Sequence, residues 1–125
     1  MSATIKRATP EEYAAERSFR LVAIGRVKRL RRKLRAEGVD EARVQRESHR
    51  FKFKLWRQEY GEQEALTQLH CSPPITDEQA AERLSWLPIT RAQAAETLHT
   101  RAELNKAYLA AKQSQLNHSA GGGSQ

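Results

Sequence analysis

The chain has 125 residues, of which 38% are hydrophobic and 30% charged, and its net charge is +7. This composition is polar for a globular protein but too rich in aliphatic residues for full disorder, so amphipathic helices must supply the core. The single cysteine excludes an intrachain disulfide, and no apolar run reaches the roughly 18 residues of a membrane span. We therefore expect a reduced, intracellular protein whose positive charge favours anionic partners.

The first predicted helix begins at Thr9, which can cap it, with Pro10 in the first turn and Glu12 completing a capping box. Gly38 is predicted to end this helix. The apolar residues between these ends recur every three or four positions and form one stripe that can face a core. The stripe consists of Phe19, Ala23, Val27, Leu30 and Leu34.

A second helix is predicted to start after Asp40, its cap, and to end near Gly61. Its apolar residues form two adjacent stripes. Because only about two residues join the two helices, residues 1–61 are predicted to form a long antiparallel helical hairpin. The stripes are Val44, Phe51 and Leu55 on one side, and Phe53, Trp56 and Tyr60 on the other.

The second half contains an internal duplication. Residues 62–73 are predicted to be a linker with a short helix, closed by a Pro-Pro break. The segment 74–84 then recurs at 88–98, with eight of eleven positions identical. Each copy has a threonine cap, Thr76 or Thr90, followed three residues later by glutamine, so two short helices with equivalent starts are predicted.

The predicted fold class is all-α. It consists of the long basic antiparallel helical hairpin, a cluster of short helices and a flexible C-terminal tail. The cluster occupies residues 74–118 and includes a further helix candidate over 100–116, and the Gly-rich tail occupies residues 119–125.

Charge divides the chain in the same way. Residues 1–57 carry 17 Lys/Arg and seven Asp/Glu, whereas residues 58–125 carry five and eight. Seven of the ten residues from Arg26 to Arg35 are basic, which on a helix makes a wide cationic face. Phosphate backbones bind such faces through Coulomb attraction and counterion release, and the planar fork of arginine suits phosphate oxygens. The predicted contacts are Arg26, Lys28, Arg29, Arg31, Arg32, Lys33, Arg35, Arg43, Arg46, Arg50, Lys52, Lys54 and Arg57.

These features predict a non-catalytic protein that binds the phosphate backbone of RNA or DNA, as free nucleic acid or within a ribonucleoprotein. The second half would then be free to bind a protein partner. The alternative is a structural subunit, adaptor or assembly factor of a large multiprotein complex, including a mitochondrial one. Two further interpretations of the basic run are binding to an anionic membrane surface and a solvated helix face without a ligand.

Aromatic residues lie among the basic ones in the second helix. Phe51, Phe53, Trp56 and Tyr60 can either stack on unpaired bases or form the core between helices. Their helical spacing favours the core.

Catalysis has little support in the sequence. The histidines share no metal-ligand spacing with Cys71, and no phosphate loop or nucleophile motif is present. We expect no enzyme activity, no cofactor, no metal site and no small-molecule substrate.

Two short segments are similar to known families. Residues 93–106 resemble a helix-turn-helix in which Arg101 to Lys106 would begin the recognition helix, although the turn is one residue short. Residues 89–94, 103–108 and 117–122 resemble the first two helices and the following loop of J-like domains in mitochondrial import-motor subunits. That resemblance lacks the His-Pro-Asp tripeptide and implies a regulatory docking module without chemistry.

Overall fold

A computed structural model describes residues 9–72 and 75–123, the last six of them as backbone alone. In these ranges the chain forms five α-helices and no strand, so the predicted all-α class is confirmed. The predicted break at Pro73 and Pro74 lies outside the described residues. The helices are α1 (Pro10–Ala36), α2 (Glu41–Tyr60), α3 (Glu62–His70), α4 (Asp77–Ser85) and α5 (Arg91–Gly123).

Both ends of α1 follow from its sequence. The Thr9 hydroxyl accepts a hydrogen bond from the backbone N–H of Glu12, and the Glu12 carboxylate accepts one from the N–H of Thr9, both at 3.2 Å. This capping box satisfies N–H groups that have no partner within the helix. At the other end Gly38 adopts a φ of +78°, which only glycine adopts at little cost, and donates to the carbonyl of Arg35 at 3.1 Å.

The first compact unit spans residues 1–55 and is described from residue 9 onward. The predicted stripe of α1 is its least exposed side, because Ala23 and Val27 are buried and the other three members are partly buried. In α2, Val44, Phe53 and Leu55 are buried. The apolar spacing of the sequence thus identifies the core positions of this unit.

The second compact unit spans residues 56–125, so the division between the two units falls inside α2. By its contacts, the last turn of α2 groups with the helices that follow it. In this unit α3, α4 and α5 contact one another. Their core consists of small and aliphatic side chains together with one indole ring: Trp56, Ala65, Leu66, Cys71, Ala80, Leu84 and Leu87.

The two copies of the duplication differ in length as helices. The first copy ends with α4 at Ser85, whereas the second opens α5, a helix of 33 residues that continues to Gly123. The structure therefore corrects two predictions: a cluster of only short helices and a separate helix over 100–116. The physical reason is that residues 99–117 contain neither glycine nor proline, so a helix started at Thr90 propagates.

The continuity of α5 also overturns both resemblances. His99 and Thr100, which would form the turn of a helix-turn-helix, are helical. Residues 117–122, which would form the loop of a J-like domain, are helical too.

The predicted threonine caps are present in both copies. Thr76 accepts from the N–H of Gln79, and Thr90 from the N–H of Gln93, each at 3.1 Å, and both glutamine side chains accept the return bond at 2.9 Å.

We expect Thr76→Ala and Thr90→Ala each to lower the free energy of unfolding by about 1 kcal/mol, because each leaves a helix start without its cap. Urea denaturation followed by circular dichroism measures this, and no loss in either variant would show that the caps do not stabilise the helices.

Candidate nucleic-acid interface

The basic run of α1 lies on the exposed surface of the helix. Six of the seven cations from Arg26 to Arg35 are exposed, and Arg31 is partly buried. On a helical wheel they spread over roughly 220°, on both sides of the buried stripe. A cation buried without a partner costs several kcal/mol, which is why these side chains stay outside the core.

Four cations of α2 form a straight row along the helix. Arg43, Arg46, Arg50 and Lys54 follow one another at intervals of three or four residues, and all four are exposed. They fall within a sector of about 80° on the wheel. Neither of the buried stripes of α2 lies in this sector, so the row is a purely polar side of the helix.

The last two predicted contacts do not join this row within the first unit. Lys52 is partly buried, on the opposite side of α2 from the row. Arg57 is exposed one turn beyond Lys54, but it belongs to the second unit.

Acidic groups neutralise few of these cations. Arg50 contacts Glu47 at 3.4 Å, and Arg35 contacts Glu41 at 2.7 Å. Such exposed pairs contribute about 0–1 kcal/mol, so they are easily exchanged for another anion. Among the exposed predicted contacts, those that form no salt bridge with any residue in the described ranges are Arg26, Lys28, Arg29, Arg32, Lys33, Arg43, Arg46 and Lys54.

Side chains of α1 contact side chains of α2 within the first unit. The guanidinium of Arg26 lies over the ring of Phe51, 5.3 Å from its centroid. The guanidinium of Arg35 donates two hydrogen bonds to the carboxylate of Glu41, at 2.7 and 3.2 Å. These hydrogen bonds lower the pKa of the Glu41 carboxyl and raise the pKa of Arg35.

The aromatic residues among the cations belong to the interior. Phe53 is 1% exposed and Trp56 4% exposed, while Phe51 and Tyr60 are partly buried. The core interpretation is thereby confirmed for Phe53 and Trp56. Base stacking needs an open ring face, which the buried Phe53 and Trp56 do not offer.

Arg101 is a buried arginine that the sequence did not single out as structural. Its side chain is 6% exposed, and its Nε donates to Asp77 Oδ1 at 2.8 Å. Its two terminal nitrogens donate to the backbone carbonyls of His70, at 2.8 Å, and of Ile75. The planar guanidinium therefore ties together the end of α3, the following loop and the start of α4. This role replaces the predicted one, in which Arg101 would begin a recognition helix.

One signal in the sequence could have identified Arg101. It lies four residues after Thr97 and eight after Gln93, on the side of α5 that the second repeat turns inward. Thr97 is buried, and Gln93 donates to Glu62 at 2.7 Å. A cation that continues a buried helix side needs fixed acceptors, which here are two carbonyls and a carboxylate.

Cys71 and His70 are buried next to each other at the end of α3. Burial raises the pKa of the Cys71 thiol, and the nearby charge of Arg101 lowers it by a smaller amount. The imidazole Nδ1 of His70 lies 2.9 Å from the carbonyl of Leu66. Across the described ranges no group of three His, Cys, Asp or Glu side chains is placed to hold a metal ion, and no helix is long and apolar enough to cross a membrane.

The outer part of α5 carries apolar side chains on an exposed surface. Every residue from 106 to 117 is exposed, so this part of the helix is covered by nothing in the described chain. Its large apolar side chains, with Leu104 just before it, are 48–63% exposed. They are Leu104, Tyr108, Leu109 and Leu116.

Comparison of the chain with protein-family models, with curated proteins and with solved structures finds no match.

Proposed function

We propose that the first unit is an antiparallel helical hairpin, one side of which binds the phosphate backbone of a nucleic acid without catalysis. The contacts between α1 and α2 support the hairpin. Moving forward along α1 from Arg26 to Arg35, the contacting residue in α2 moves back from Phe51 to Glu41. This opposite progression is that of two antiparallel neighbours joined by a short loop.

The same contacts support an assignment of cations to the two sides of the hairpin. On the wheel of α1, Arg26 lies on one side of the buried stripe and Arg35 on the other. On the wheel of α2, Phe51 and Glu41 likewise lie on opposite sides of the buried Val44. The side marked by the Arg26–Phe51 contact therefore gathers cations from both helices, and we name it the cationic face: Arg26, Arg29, Lys33, Arg43, Arg46, Arg50 and Lys54.

The observation that carries the proposal is the excess of exposed positive charge on this face. Residues 26–54 contain 12 Lys/Arg and four Asp/Glu, and Glu47 is the one acid within α2 on the side of the cationic face. Self-repulsion among cations this dense opposes folding, and a bound polyanion removes it. Phosphate binding in addition releases the counterions condensed on the nucleic acid.

Salt dependence tests the proposal. With about seven phosphate contacts, the logarithm of the affinity should fall with the logarithm of salt concentration at a slope of about −6 on a duplex. Fluorescence anisotropy with labelled oligonucleotides, between about 50 and 200 mM salt, should show an affinity loss of roughly 10³-fold or more. A shallow slope, or no binding at the lowest salt, would remove nucleic acid as the ligand of the cationic face.

The alternative function, a subunit or adaptor of a protein complex, has one observation in its favour. The exposed apolar side chains of α5, among them Tyr108 and Leu109, are typical of a helix that packs against another protein. An interface with an apolar centre depends weakly on salt. Under that alternative, pull-down of partners should survive both nuclease treatment and high salt.

A further inference from the structure

We infer that the nucleic acid bound by the cationic face is a duplex, held through its phosphates without stacking on its bases. The inference rests on the proposed function and names its ligand class. It depends on where the aromatic rings lie and on how the cations are arranged.

The position of the rings argues against a single strand. Proteins that bind single strands combine a cationic groove with aromatic side chains on which successive bases stack. Here the aromatic rings that lie among the cations in α2 are not open to bases. Phe53 and Trp56 are buried, and Phe51 is partly buried beneath Arg26. A single strand on this face would gain charge contacts but no stacking.

The exposed tyrosine of the first unit lies away from the cationic face. Tyr13 precedes Arg26 by 13 residues, or about 20 Å of helix, and on the wheel it lies on the opposite side of α1 from that face. A base stacked on Tyr13 therefore cannot belong to a nucleotide whose phosphate Arg29 or Lys33 holds.

The arrangement of the cations suits two strands. The face has one row on α1, from Arg26 to Lys33, and a second row on α2, from Arg43 to Lys54. In the proposed hairpin these two rows run side by side. A duplex presents two phosphate rows in fixed positions, at one charge per about 1.7 Å of axis, whereas a flexible single strand must be ordered to fill even one row.

A comparison of strand types at fixed length tests the inference. Labelled duplex DNA, duplex RNA and a single strand without self-complementarity are titrated with the full chain at about 100 mM salt. We expect either duplex, or both, to bind at least about tenfold more tightly than the single strand. The salt slope per contact should be about −0.9 on duplex DNA and −0.7 on the single strand.

The remaining outcomes distinguish a failure of the duplex inference from a failure of the proposed function. If the single strand binds as tightly as both duplexes, the duplex inference is overturned while the proposed function stands. If none of the three binds, the proposed function itself fails. Tyr13→Ala and Tyr108→Ala serve as controls at exposed positions: a loss of single-strand binding in either variant would reveal base stacking and overturn the inference.

Discussion

Reversing Arg29, Lys33 and Arg46 to glutamate is expected to abolish nucleic-acid binding while the helix content stays unchanged. The three side chains are exposed and form no salt bridge with the described residues, so their loss removes no internal contact of that kind. Three fewer phosphate contacts should make the salt slope shallower by about three, and the new acids repel the backbone as well. At about 100 mM salt we expect the affinity to fall at least a hundredfold.

A matched variant separates local contacts from net charge. Arg91, Lys106 and Lys112 are also exposed, and their reversal to glutamate changes the net charge of the chain by the same amount, but in the second unit. We expect this control to bind nearly as tightly as the parent chain. Anisotropy reports the affinity of both variants, and circular dichroism reports their folding. Equal losses in the two variants would mean that only overall charge matters and that the cationic face is not a specific site.

Replacing Arg101 with methionine is expected to destabilise the second unit by about 3 kcal/mol, as judged from hydrogen bonds between a charged donor and its acceptors. Methionine keeps much of the apolar volume but donates nothing, so the carbonyls of His70 and Ile75 lose their partner. The fluorescence of Trp56 and Trp86, both in this unit, reports its unfolding in urea.

The comparison variant for this prediction is Asp77→Asn. The side chain of Asp77 is 79% exposed, so its ion pair with Arg101 is screened by water and should contribute less than about 1 kcal/mol. A small loss in Asp77→Asn beside a large one in Arg101→Met would show that the carbonyl contacts dominate. Comparable losses would instead assign the stabilisation to the ion pair.

The local features of the fold could be predicted from the sequence because they depend on neighbouring residues. The capping boxes at Thr9, Thr76 and Thr90 each involve groups three residues apart, and all three are present. The buried stripe of α1 follows from a fixed helical period. Helix starts and core positions are therefore available before any tertiary contact is known.

The features that the sequence did not reveal depend on distant contacts or on where a helix stops. Arg101 bonds to groups 24 to 31 residues away, so its position in the chain gives no direct sign of them. The length of α5 was underestimated because a repeat of short segments suggested two equal helices, whereas only the first copy is followed closely by a break, at Trp86 to Pro88.

The exposure of the basic residues could be predicted from the sequence, but their arrangement on a surface could not. Exposure of the basic run follows from the cost of burying charge, and the structure bears it out. Which cations share a side of the hairpin is a different question, because it depends on the pairing of Arg26 with Phe51 and of Arg35 with Glu41. Lys28 and Arg35 look equivalent to Arg29 in the sequence, yet they lie on the other side of the proposed hairpin.

Because the outer part of α5 is exposed, the helix content of the chain can fall without any loss of its core. Residues 106–117 are helical but pack on nothing in the described chain, and an isolated helix of that length is only marginally stable in water. These turns can unwind from their C-terminal side while the core around Leu66 and Leu84 remains intact, so we expect their amide hydrogens to exchange with solvent by local opening alone. On heating, we expect the ellipticity of the chain to decline gradually before the cooperative transition that exposes Trp56.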